Sequence, residues 1–522
     1  MFRYKADNCL IDKLYFRGFL VTDDETCLES GDIIPKWKKY TVQKYTFRVS
    51  EGQSIFICNK NSESGSLVLI GHAYNPFRSC CDEVLILNSL HESLCQKKVK
   101  HFWRTFNELT GIFTLFYINN NVLYIAGDAS GIQTTFYSVY RGRVYIASHT
   151  NLIGDILGLN WDPYVYKLVH YRFFKLLGNS LPGDITQFKE VKRLVPNHYV
   201  VFRKEEQPIV KRFFTPSLQK LSDSEIVEQA SDIMHANMAL IAQKWKTPAI
   251  SLTGGCDSKT TLACANGLYH RFKYFSYISS EAEKVDAEAA HQICQALGLE
   301  HRIYRIPDCD EELENVSDAA DILFWNTGSI RRSNPNDVRK RIYFDGIKDF
   351  DIEVKSWASE IGRAYYSKRF HGRKDFGEKP TPRKCTTLYK FFFHNRKLVR
   401  QTDQIFKEYL EKYFRSDPVS PLPWQEQFFW EFRVPSWNGL VITGEHRYSF
   451  DITIPYNNRI LLQLLLSTSI ENRINDTIYA QIREKMNPVI ERTGITVQNL
   501  LHTERRERAE NLYYTLHSKF PL

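Results

Sequence analysis

Short apolar runs separated by polar turns fill the first 200 residues of the chain. Two pairs of these runs flank polar turns at 119–121 and 141–143, and each pair predicts a β-hairpin. A helical stretch is expected from Ser148 onward. Strands are predicted at 67–76, 111–117, 122–126, 136–140, 144–147 and 199–202, with shorter strand-like pieces at 14–21, 45–49 and 54–58. Many strands with intervening helices predict an α+β layered arrangement for this half.

The apolar pattern changes its period after residue 221. Ser222 and Glu225 form a capping-box pattern that predicts the start of a long helix, whose apolar positions recur at helical spacing. The next elements are predicted to be a strand ending at Leu252, a helix through Ala265, a strand at 272–278, a helix at 282–297 and a strand at 302–306. This alternation predicts an α/β fold with a doubly wound parallel sheet, whose ligand crevice lies at the carboxyl ends of the strands.

Small and polar residues join the first of these strands to its helix. They suit a phosphate site, because adjacent glycines let the backbone approach an anion and the helix start offers N–H groups with positive dipole character. Hydroxyl groups and a lysine add donors and charge, and Asp257 is suited to hold Mg²⁺ against phosphate oxygens. The candidate nucleotide-binding residues are Thr253, Gly254, Gly255, Asp257, Ser258 and Lys259. An ordinary turn between a strand and a helix is the alternative.

This loop is neither a Walker A loop, which needs G-x-x-x-x-G-K-S/T, nor a G-x-G-x-x-G turn. It resembles the S-G-G-x-D-S pyrophosphate loop of the N-type ATP pyrophosphatases, with Thr253 in place of the first serine. The resemblance implies an enzyme that splits ATP into AMP and pyrophosphate to adenylate a carboxylate or a carbonyl-type oxygen. It also implies that Phe275 and Tyr277, at the end of the next strand, lie beside the adenine ring, with a plain buried strand as the alternative.

The N-terminal half carries a second resemblance. Its motifs at 109–113, 127–132 and 146–148 are similar, in order and spacing, to the glutaminase domain of asparagine synthetase. The patterns of that family read L-x-G-x-F-A, R-D-x-x-G-x-x-P-L-Y-Y and F-A-S-E. The resemblance implies a degenerate glutaminase-like domain of the layered Ntn-hydrolase type over residues 1–212. An asparagine synthetase-like ATP pyrophosphatase domain is then implied over residues 213–522.

Position 2 departs from that family. The glutaminase of asparagine synthetase uses a cysteine directly after the initiator Met, with its own freed α-amino group as the base, whereas this chain has Phe2. The nearest thiol, Cys9, is internal and is interpreted as a packed or surface cysteine. The first domain is therefore expected to have lost the release of ammonia from glutamine.

Glutamine is accordingly expected not to serve as a nitrogen donor. Incubation of the protein with glutamine should release glutamate only at the uncatalysed background rate, because no thiol shares an N-terminal amine as its base. The same protein treated with a thiol-alkylating reagent gives that background. Glutamate release above it would show that another thiol, such as Cys9 after processing, has taken this role.

The stretch 354–366 is similar to the second signature of asparagine synthetase, S-G-x-G-x-D-E-x-x-x-G-Y, which supplies a metal-binding Asp and a catalytic Glu. The alignment places Ser359 on the Asp and Glu360 on the Glu. With that Asp lost, either Glu360 takes over the metal or Asp257 suffices, with phosphate and water completing the shell. The catalytic residues implied are Glu360 as base, Tyr365 as its assistant, and Arg363 and Lys259 to offset pyrophosphate charge.

The formal net charge of +9 adds one feature to this picture, because the basic excess is concentrated between residues 331 and 400. Such a face would draw an anionic substrate, and a merely solvated face is the alternative. Arg363 lies in this stretch, three residues beyond Glu360. It is expected on the same helical face, where it could clamp a carboxylate or pyrophosphate, with a surface ion pair as the alternative.

Length and composition limit the remaining possibilities. A chain of 522 residues with 43% hydrophobic residues should form at least two globular domains. The 11 cysteines contain no C-x-x-C pair, which argues against a zinc ribbon, and their odd number argues against a complete disulfide set. The first residues lack the apolar core of a signal peptide and no run approaches transmembrane length, so a cytoplasmic protein without a membrane partner is expected.

The leading hypothesis is an AMP-forming amide ligase or amidotransferase that uses ATP and Mg²⁺. Its expected partners are a small-molecule or glycan carboxylate and an amine or ammonia, and a homodimer is left open. The first alternative is an RNA-modifying ATP pyrophosphatase, which the glutaminase-like half disfavours. The second is a catalytically inactive scaffold, which the loss of two signature residues favours. Binding of Mg·ATP and release of pyrophosphate separate the enzymes from the scaffold.

Overall fold

The structure is a computed structural model of the 522-residue chain. It describes all residues except 1–8, 27–35, 60–64, 176–177, 310–312, 371–375, 390–394, 415–419, 498–503 and 520–522. Phe2 therefore lies outside the described residues. No helix in the described ranges has both the length and the apolar character that a membrane span requires.

Two six-stranded antiparallel sheets build the N-terminal half. Their strands are β1 (Phe19–Thr22), β2 (Lys38–Val42), β3 (Tyr45–Val49), β4 (Ile55–Cys58), β5 (Ser66–Tyr74), β6 (Thr110–Asn119), β7 (Val122–Gly127), β8 (Phe136–Tyr140), β9 (Arg143–Ala147), β10 (Lys192–Arg193), β11 (His198–Phe202) and β12 (Ile209–Arg212). The strand orders are β10-β8-β9-β1-β3-β2 and β12-β11-β7-β6-β5-β4. Both predicted hairpins, β6–β7 and β8–β9, are present.

Alternating side chains on these strands separate two apolar layers. Val68 and Ile70 of β5 join Phe47 of the other sheet in one buried cluster between the sheets. Leu67 and Leu69 point the opposite way, toward helices that cover the outer face. These helices are α1 (Glu83–Cys95) and α2 (Val99–Asn107), while α3 (Thr150–Leu157) packs against the first sheet and α4 (Pro163–Val169) follows it. This half is therefore layered as helix, sheet, sheet and helix.

A five-stranded parallel sheet forms the centre of the second half. Its elements begin with α5 (Asp223–Lys244), β13 (Pro248–Ser251), α6 (Cys256–Cys264), β14 (Lys273–Ile278), α7 (Glu281–Ala296) and β15 (His301–Arg305). The predicted capping box is present, since Ser222 and Glu225 each accept a hydrogen bond from the other's backbone N–H. The predicted mixture of helices with parallel and antiparallel sheets is thereby confirmed.

The strand order of this sheet creates a crevice. With β16 (Ile352–Val354) and β17 (Asp451–Thr453), the order is β15-β14-β13-β16-β17, and every pair is parallel. The chain leaves β13 in one direction toward β14 and later returns on the other side through β16. Loops that follow β13 and β16 therefore diverge, which is where ligands bind in sheets of this kind.

The remaining helices surround this sheet and the contact between the two halves. They are α8 (Val316–Asn326), α9 (Pro335–Asp345), α10 (Tyr365–Arg369), α11 (Pro382–Tyr389), α12 (Arg396–Tyr413), α13 (Trp424–Phe428), α14 (Leu440–Gly444), α15 (Arg459–Leu466), α16 (Ile470–Ile474), α17 (Thr477–Met486), α18 (Pro488–Arg492) and α19 (Glu504–His517). Between α13 and α14 the chain forms two π-helical turns, Phe429–Arg433 and Pro435–Gly439. Such turns are rare and are often found at functional sites.

Candidate active site

The loop between β13 and α6 is held by its own hydroxyl groups. The Thr253 N–H donates to Ser258 Oγ over 3.2 Å, and the two hydroxyl oxygens lie 3.0 Å apart. Gly255 is the N-cap of α6, and no side chain caps this helix. The first turn of α6 therefore presents backbone N–H groups and positive dipole character toward the crevice.

Gly254 is required by a close approach of another chain segment. A Cβ at this position would lie 2.3 Å from Val497 Cγ2 and 2.8 Å from Ala289 Cβ. The Gly254 N–H donates to Asp286 Oδ1 over 3.1 Å, which ties the loop to α7. Packing thus explains this glycine as well as an approaching phosphate would.

A cavity of about 360 Å³ opens at the carboxyl ends of β13, β14 and β16. It is lined by Ser251, Leu252, Thr253, Asp257, Ser258, Ser276, Tyr277, Glu283, Asp286, Ala287, Lys355, Ser356, Trp357 and Glu360. The structure therefore brings five of the predicted site residues together: Thr253, Asp257, Ser258, Tyr277 and Glu360.

Two carboxylate oxygens at this cavity are buried without a hydrogen-bond partner among the described residues, Asp257 Oδ1 and Glu360 Oε2. Burial, followed by the negative charge of Asp257, raises the pKa of the Glu360 carboxyl to about 7. Glu360 lies in a 3₁₀ turn, Ser359–Arg363, and the backbone N–H groups at 358 and 360 partly oppose this shift in its pKa. The two carboxylates thus repel each other when both are ionised, and a proton or a bound cation relieves this repulsion.

The carboxylate pair fits Mg²⁺ better than it fits a metal held by protein ligands alone. In the described ranges, no group of three or more His, Cys, Asp or Glu side chains could hold a metal ion. Mg²⁺ keeps several waters and is commonly bound by one or two carboxylates together with substrate phosphates. Asp257 and Glu360, each with an unpartnered oxygen, meet that requirement.

Arg363 contacts one member of this carboxylate pair, Asp257. Its Nη1 donates to Asp257 Oδ2 over 2.6 Å, and its Nε and Nη2 both donate to Asp476, each over 2.8 Å. These carboxylates raise the pKa of the guanidinium against the effect of burial. The ion pair is therefore partly buried, with the two side chains 19% and 24% exposed, and Arg363 fixes the side chain of Asp257.

Phe275, Lys259 and Tyr365 are not among the residues that line the cavity. Phe275 stacks on Phe350 in the core, with ring centroids 5.0 Å apart. Lys259 donates from Nζ to the Ile495 carbonyl over 2.7 Å. Tyr365 stacks on an aromatic ring of the first π-helical turn. In all three cases a segment distant in sequence sets the direction of the side chain.

Two cavity residues were missed by the sequence reasoning. Lys355 and Trp357 follow β16, and Lys355 Nζ lies 5.6 Å from the Trp357 ring and 2.7 Å from a Glu353 oxygen. The only signal for them was that they replace glycines of the S-G-x-G-x-D-E signature. Ser359, which replaces its Asp, is fully buried and donates to the Ser356 carbonyl.

Seven cations of the basic stretch are engaged in ion pairs within the described residues. They include Arg331 with Glu445, Lys340 with Glu283, and Arg369 with Glu510. Cys9, the alternative thiol, is exposed, and Asp318 raises the pKa of that thiol, which weakens it as a nucleophile.

Replacing Glu360 by Gln is expected to stabilise the protein without ligands at pH 8. The folded-state pKa near 7 lies above the usual 4.5, so stability is lost as the pH rises from 4.5 to 7. This loss in the free energy of unfolding is at most about 3 kcal/mol. Glu360→Gln should therefore raise the apparent melting temperature by roughly 2–5 °C at pH 8 and have almost no effect at pH 4.5. The exposed Glu281 supplies the control Glu281→Gln, and an equal rise in both variants would contradict the assignment.

Comparison with curated proteins gives a distant relative. No family model matches the chain. The chain is 23% identical over 201 residues to asparagine synthetase [glutamine-hydrolyzing] 1 of Bacillus subtilis (strain 168). The match covers 37% of this chain and 31% of that protein, so it spans about a third of the relative's length. The predicted resemblance to asparagine synthetase is thus supported at low identity.

Solved structures give weaker similarities. The allosteric regulatory enzyme of purine biosynthesis matches with a TM-score of 0.24 at 12% identity, over 46% of this chain and 56% of that one. Glutamine-dependent NAD+ synthetase from Acinetobacter baumannii, in complex with ADP, matches with a TM-score of 0.21 at 17% identity, over 34% of this chain and 32% of that one. The B. subtilis glutamine phosphoribosylpyrophosphate amidotransferase, complexed with ADP and GMP, matches with a TM-score of 0.21 at 10% identity, over 79% of this chain and 91% of that one. These TM-scores are too low to carry a conclusion.

Proposed function

We propose that the chain is an ATP-dependent, AMP-forming carbon–nitrogen ligase. It adenylates a substrate carboxylate and transfers ammonia or a primary amine to it. One observation carries this proposal. Asp257 and Glu360, each with an unpartnered carboxylate oxygen, line the same cavity as the loop that resembles a pyrophosphate loop, and this cavity lies at the switch point of a parallel sheet. The distant similarity to an asparagine synthetase supports the same class of reaction.

The proposal includes a division of the chain at residue 212. Residues 1–212 form a degenerate glutaminase-like domain, and residues 213–522 carry the synthetase chemistry. This division is supported by the two kinds of sheet, since β12 is the last antiparallel strand and α5 precedes the first parallel strand.

ATP would lie with its phosphates over the first turn of α6. Thr253 and Ser258 are hydrogen-bonded to each other, and a phosphate would replace those contacts with hydrogen bonds of its own. Ser276 and Tyr277 at the end of β14 are placed to contact the nucleoside. Lys259 reaches the pyrophosphate only by giving up its bond to the Ile495 carbonyl.

Asp257 and Glu360 are the residues that would hold Mg²⁺. When bound, this ion neutralises phosphate charge and orients the nucleotide. Arg363 holds Asp257 in place through Nη1, and its positive charge offsets negative charge that builds on the pyrophosphate.

The reaction then needs two displacements. An oxygen of the substrate carboxylate attacks the α-phosphorus, the bond to the bridging oxygen breaks, and pyrophosphate leaves. The amine nitrogen next attacks the acyl carbon, AMP leaves with the shared oxygen, and an amide remains. Glu360 accepts the proton of the amine, a role that suits a carboxyl whose pKa lies near 7. Tyr365, whose ring stacks on Phe429 of the first π-helical turn, is assigned no direct part.

Exchange of labelled pyrophosphate into ATP tests this function. The purified chain is incubated with Mg·ATP, labelled pyrophosphate and a panel of carboxylates, and exchange is expected for at least one carboxylate. The second candidate is a nucleotide-binding protein without catalysis, favoured by Ser359, whose buried hydroxyl cannot replace a metal-binding Asp. Mg·ATP binding without exchange for any carboxylate would support that candidate, and the absence of binding would contradict both.

A further inference from the structure

A second large cavity lies where residues 161–179 of the first half meet residues 324–332 of the second. Its volume is about 540 Å³, which exceeds that of the active-site cavity, and no described residue lines both. Small-molecule sites commonly occupy roughly 300–1,000 Å³ and often lie between domains. This cavity is therefore large enough to hold a ligand of its own.

The buried part of this cavity contains an amide with an unused hydrogen-bonding atom. Phe174, Asn179, Ser329 and Ile330 line this part, and none of the four is more than 8% exposed. Asn179, at 7% exposed, has a buried Oδ1 that accepts no hydrogen bond from any described residue. Leaving a buried polar atom in this state is unfavourable, so a hydrogen bond from a ligand would stabilise it. An amide offers both a donor and an acceptor, and the edge of a nucleobase offers both in return.

Aromatic rings line the more exposed part of the cavity. The Tyr166 ring has its centroid 6.3 Å from that of Trp161 and 4.3 Å from that of His170. His170 Nδ1 donates to the Tyr166 carbonyl over 2.7 Å, which fixes the imidazole beside the phenol ring. Tyr166 is 56% exposed, so much of its ring is not covered by protein. Exposed aromatic faces of this kind bind flat rings by stacking.

The lining of the cavity is also basic. Lys175 and Arg332 are both exposed, and the Arg332 guanidinium carbon lies 4.3 Å from the centroid of the Phe324 ring, which lines the cavity with it. None of the described residues that line this cavity is acidic, whereas four carboxylates line the active-site cavity. An anionic group is therefore attracted here, and Lys and Arg are the side chains that commonly bind phosphate.

We propose that this cavity binds a nucleoside monophosphate. The base stacks on Trp161 and Tyr166 and pairs its hydrogen-bonding edge with Asn179, and the phosphate contacts Lys175 and Arg332. An apolar ligand would leave the amide and the cations unused, and a simple anion would leave the rings uncovered. This site is separate from the proposed ATP site, and it does not depend on the ligase chemistry.

Equilibrium dialysis of the full chain in the presence of EDTA tests the site. EDTA removes Mg²⁺, and without that ion the four carboxylates of the active-site cavity repel a phosphate. The probes are AMP, GMP, CMP and UMP, the nucleoside of each, and ribose 5-phosphate, which lacks the base. At least one nucleotide is expected to bind about tenfold more tightly, or better, than its nucleoside and than ribose 5-phosphate. Stacking of the base and the charge-assisted contact to the phosphate each contribute to this preference.

Substitutions separate the contacts to the phosphate from those to the base. Arg332→Gln should weaken the preferred nucleotide about tenfold and leave its nucleoside unchanged, because only the phosphate loses a contact. Trp161→Leu and Asn179→Leu should weaken the nucleotide and the nucleoside alike and leave ribose 5-phosphate unchanged, because the base loses a contact. Arg172→Gln is the matched control and should change nothing. Arg172 is also exposed and lies 4.5 Å from the Phe173 ring centroid, but it does not line the cavity.

The assignment is wrong if no nucleotide is preferred over its nucleoside and over ribose 5-phosphate. It is also wrong if the preference persists unchanged in Arg332→Gln and Trp161→Leu, or if Arg172→Gln weakens binding as much as Arg332→Gln does. Lys175→Gln keeps the test decisive if Arg332→Gln fails to fold, since a reduced preference for the nucleotide supports the phosphate contact and an unchanged one contradicts it. Pyrophosphate exchange is measured separately with Mg²⁺, so a failure of the ligase proposal leaves this result in place.

Discussion

Asp257→Asn is expected to abolish formation of AMP and pyrophosphate while the fold is retained. The substitution removes a charge at the carboxylate whose Oδ1 has no partner, and therefore a ligand for Mg²⁺. Loss of that ion removes several kcal/mol of charge stabilisation, so the rate should fall at least roughly 10³-fold. Release of pyrophosphate with a carboxylate that supports exchange is the measurement.

Asp476→Asn is the matched control for this variant. Asp476 also pairs with Arg363, at 2.8 Å, but it does not line the cavity. Both variants remove one acidic partner of Arg363, and each leaves the other in place. If only Asp257→Asn loses activity, the cavity carboxylate is essential. Equal losses would mean that the position of Arg363 matters and not the metal ligand, and wild-type turnover by Asp257→Asn would refute the assignment of the loop.

Local patterns predicted the elements that lie next to each other in sequence. The β6–β7 hairpin follows from apolar runs around three asparagines, and Asn120 and Asn121 take the positive φ that a tight turn needs. The start of α5 follows from Ser222 and Glu225, which satisfy each other's backbone groups. These features depend only on residues within a few positions, so a single sequence contains the necessary information.

The direction of side chains around the loop could not be predicted in this way. Lys259 was placed on phosphate because it follows the loop, but its ammonium meets the carbonyl of Ile495, 236 positions later. Phe275 turns into the core because Phe350 and its neighbours complete an aromatic cluster there. Such choices depend on contacts between distant segments, which spacing along one chain does not encode.

The π-helical turns had no sequence signal at all. Their geometry accompanies close contacts with the N-terminal half: Trp430 donates to the Ala129 carbonyl over 2.8 Å, and a Cβ at Gly439 would lie 2.4 Å from the Gly131 oxygen. Trp437 of the second turn lies beside Trp357, which lines the cavity, with ring centroids 6.4 Å apart. Sequence reasoning therefore did not predict which segment packs beside Trp357 at this cavity.

Glu360→Gln is expected to separate the two half-reactions. Adenylation does not need a base for the amine, and Asp257 with phosphate and water suffices to hold Mg²⁺, so carboxylate-dependent exchange of labelled pyrophosphate into ATP should persist. Amide formation should fall roughly 10²–10⁴-fold, the usual effect of losing a general base. In the wild type, amide formation should rise with pH as Glu360 ionises, because the base acts as the carboxylate. Bound Mg²⁺ should lower the pKa of Glu360 below the value of about 7 that it has without the ion. The Gln variant should lack this rise.

The pattern across variants decides which role Glu360 has. If it is needed mainly as a Mg²⁺ ligand, exchange and amide formation should fail together, as they do for Asp257→Asn. Glu360→Asp then discriminates further, because it keeps the charge but withdraws the carboxylate by one methylene. A base should lose amide formation selectively in this variant, since proton transfer needs hydrogen-bond distance. If both reactions survive in Glu360→Gln, Glu360 is not catalytic, and Asp286, which lines the same cavity, becomes the next candidate.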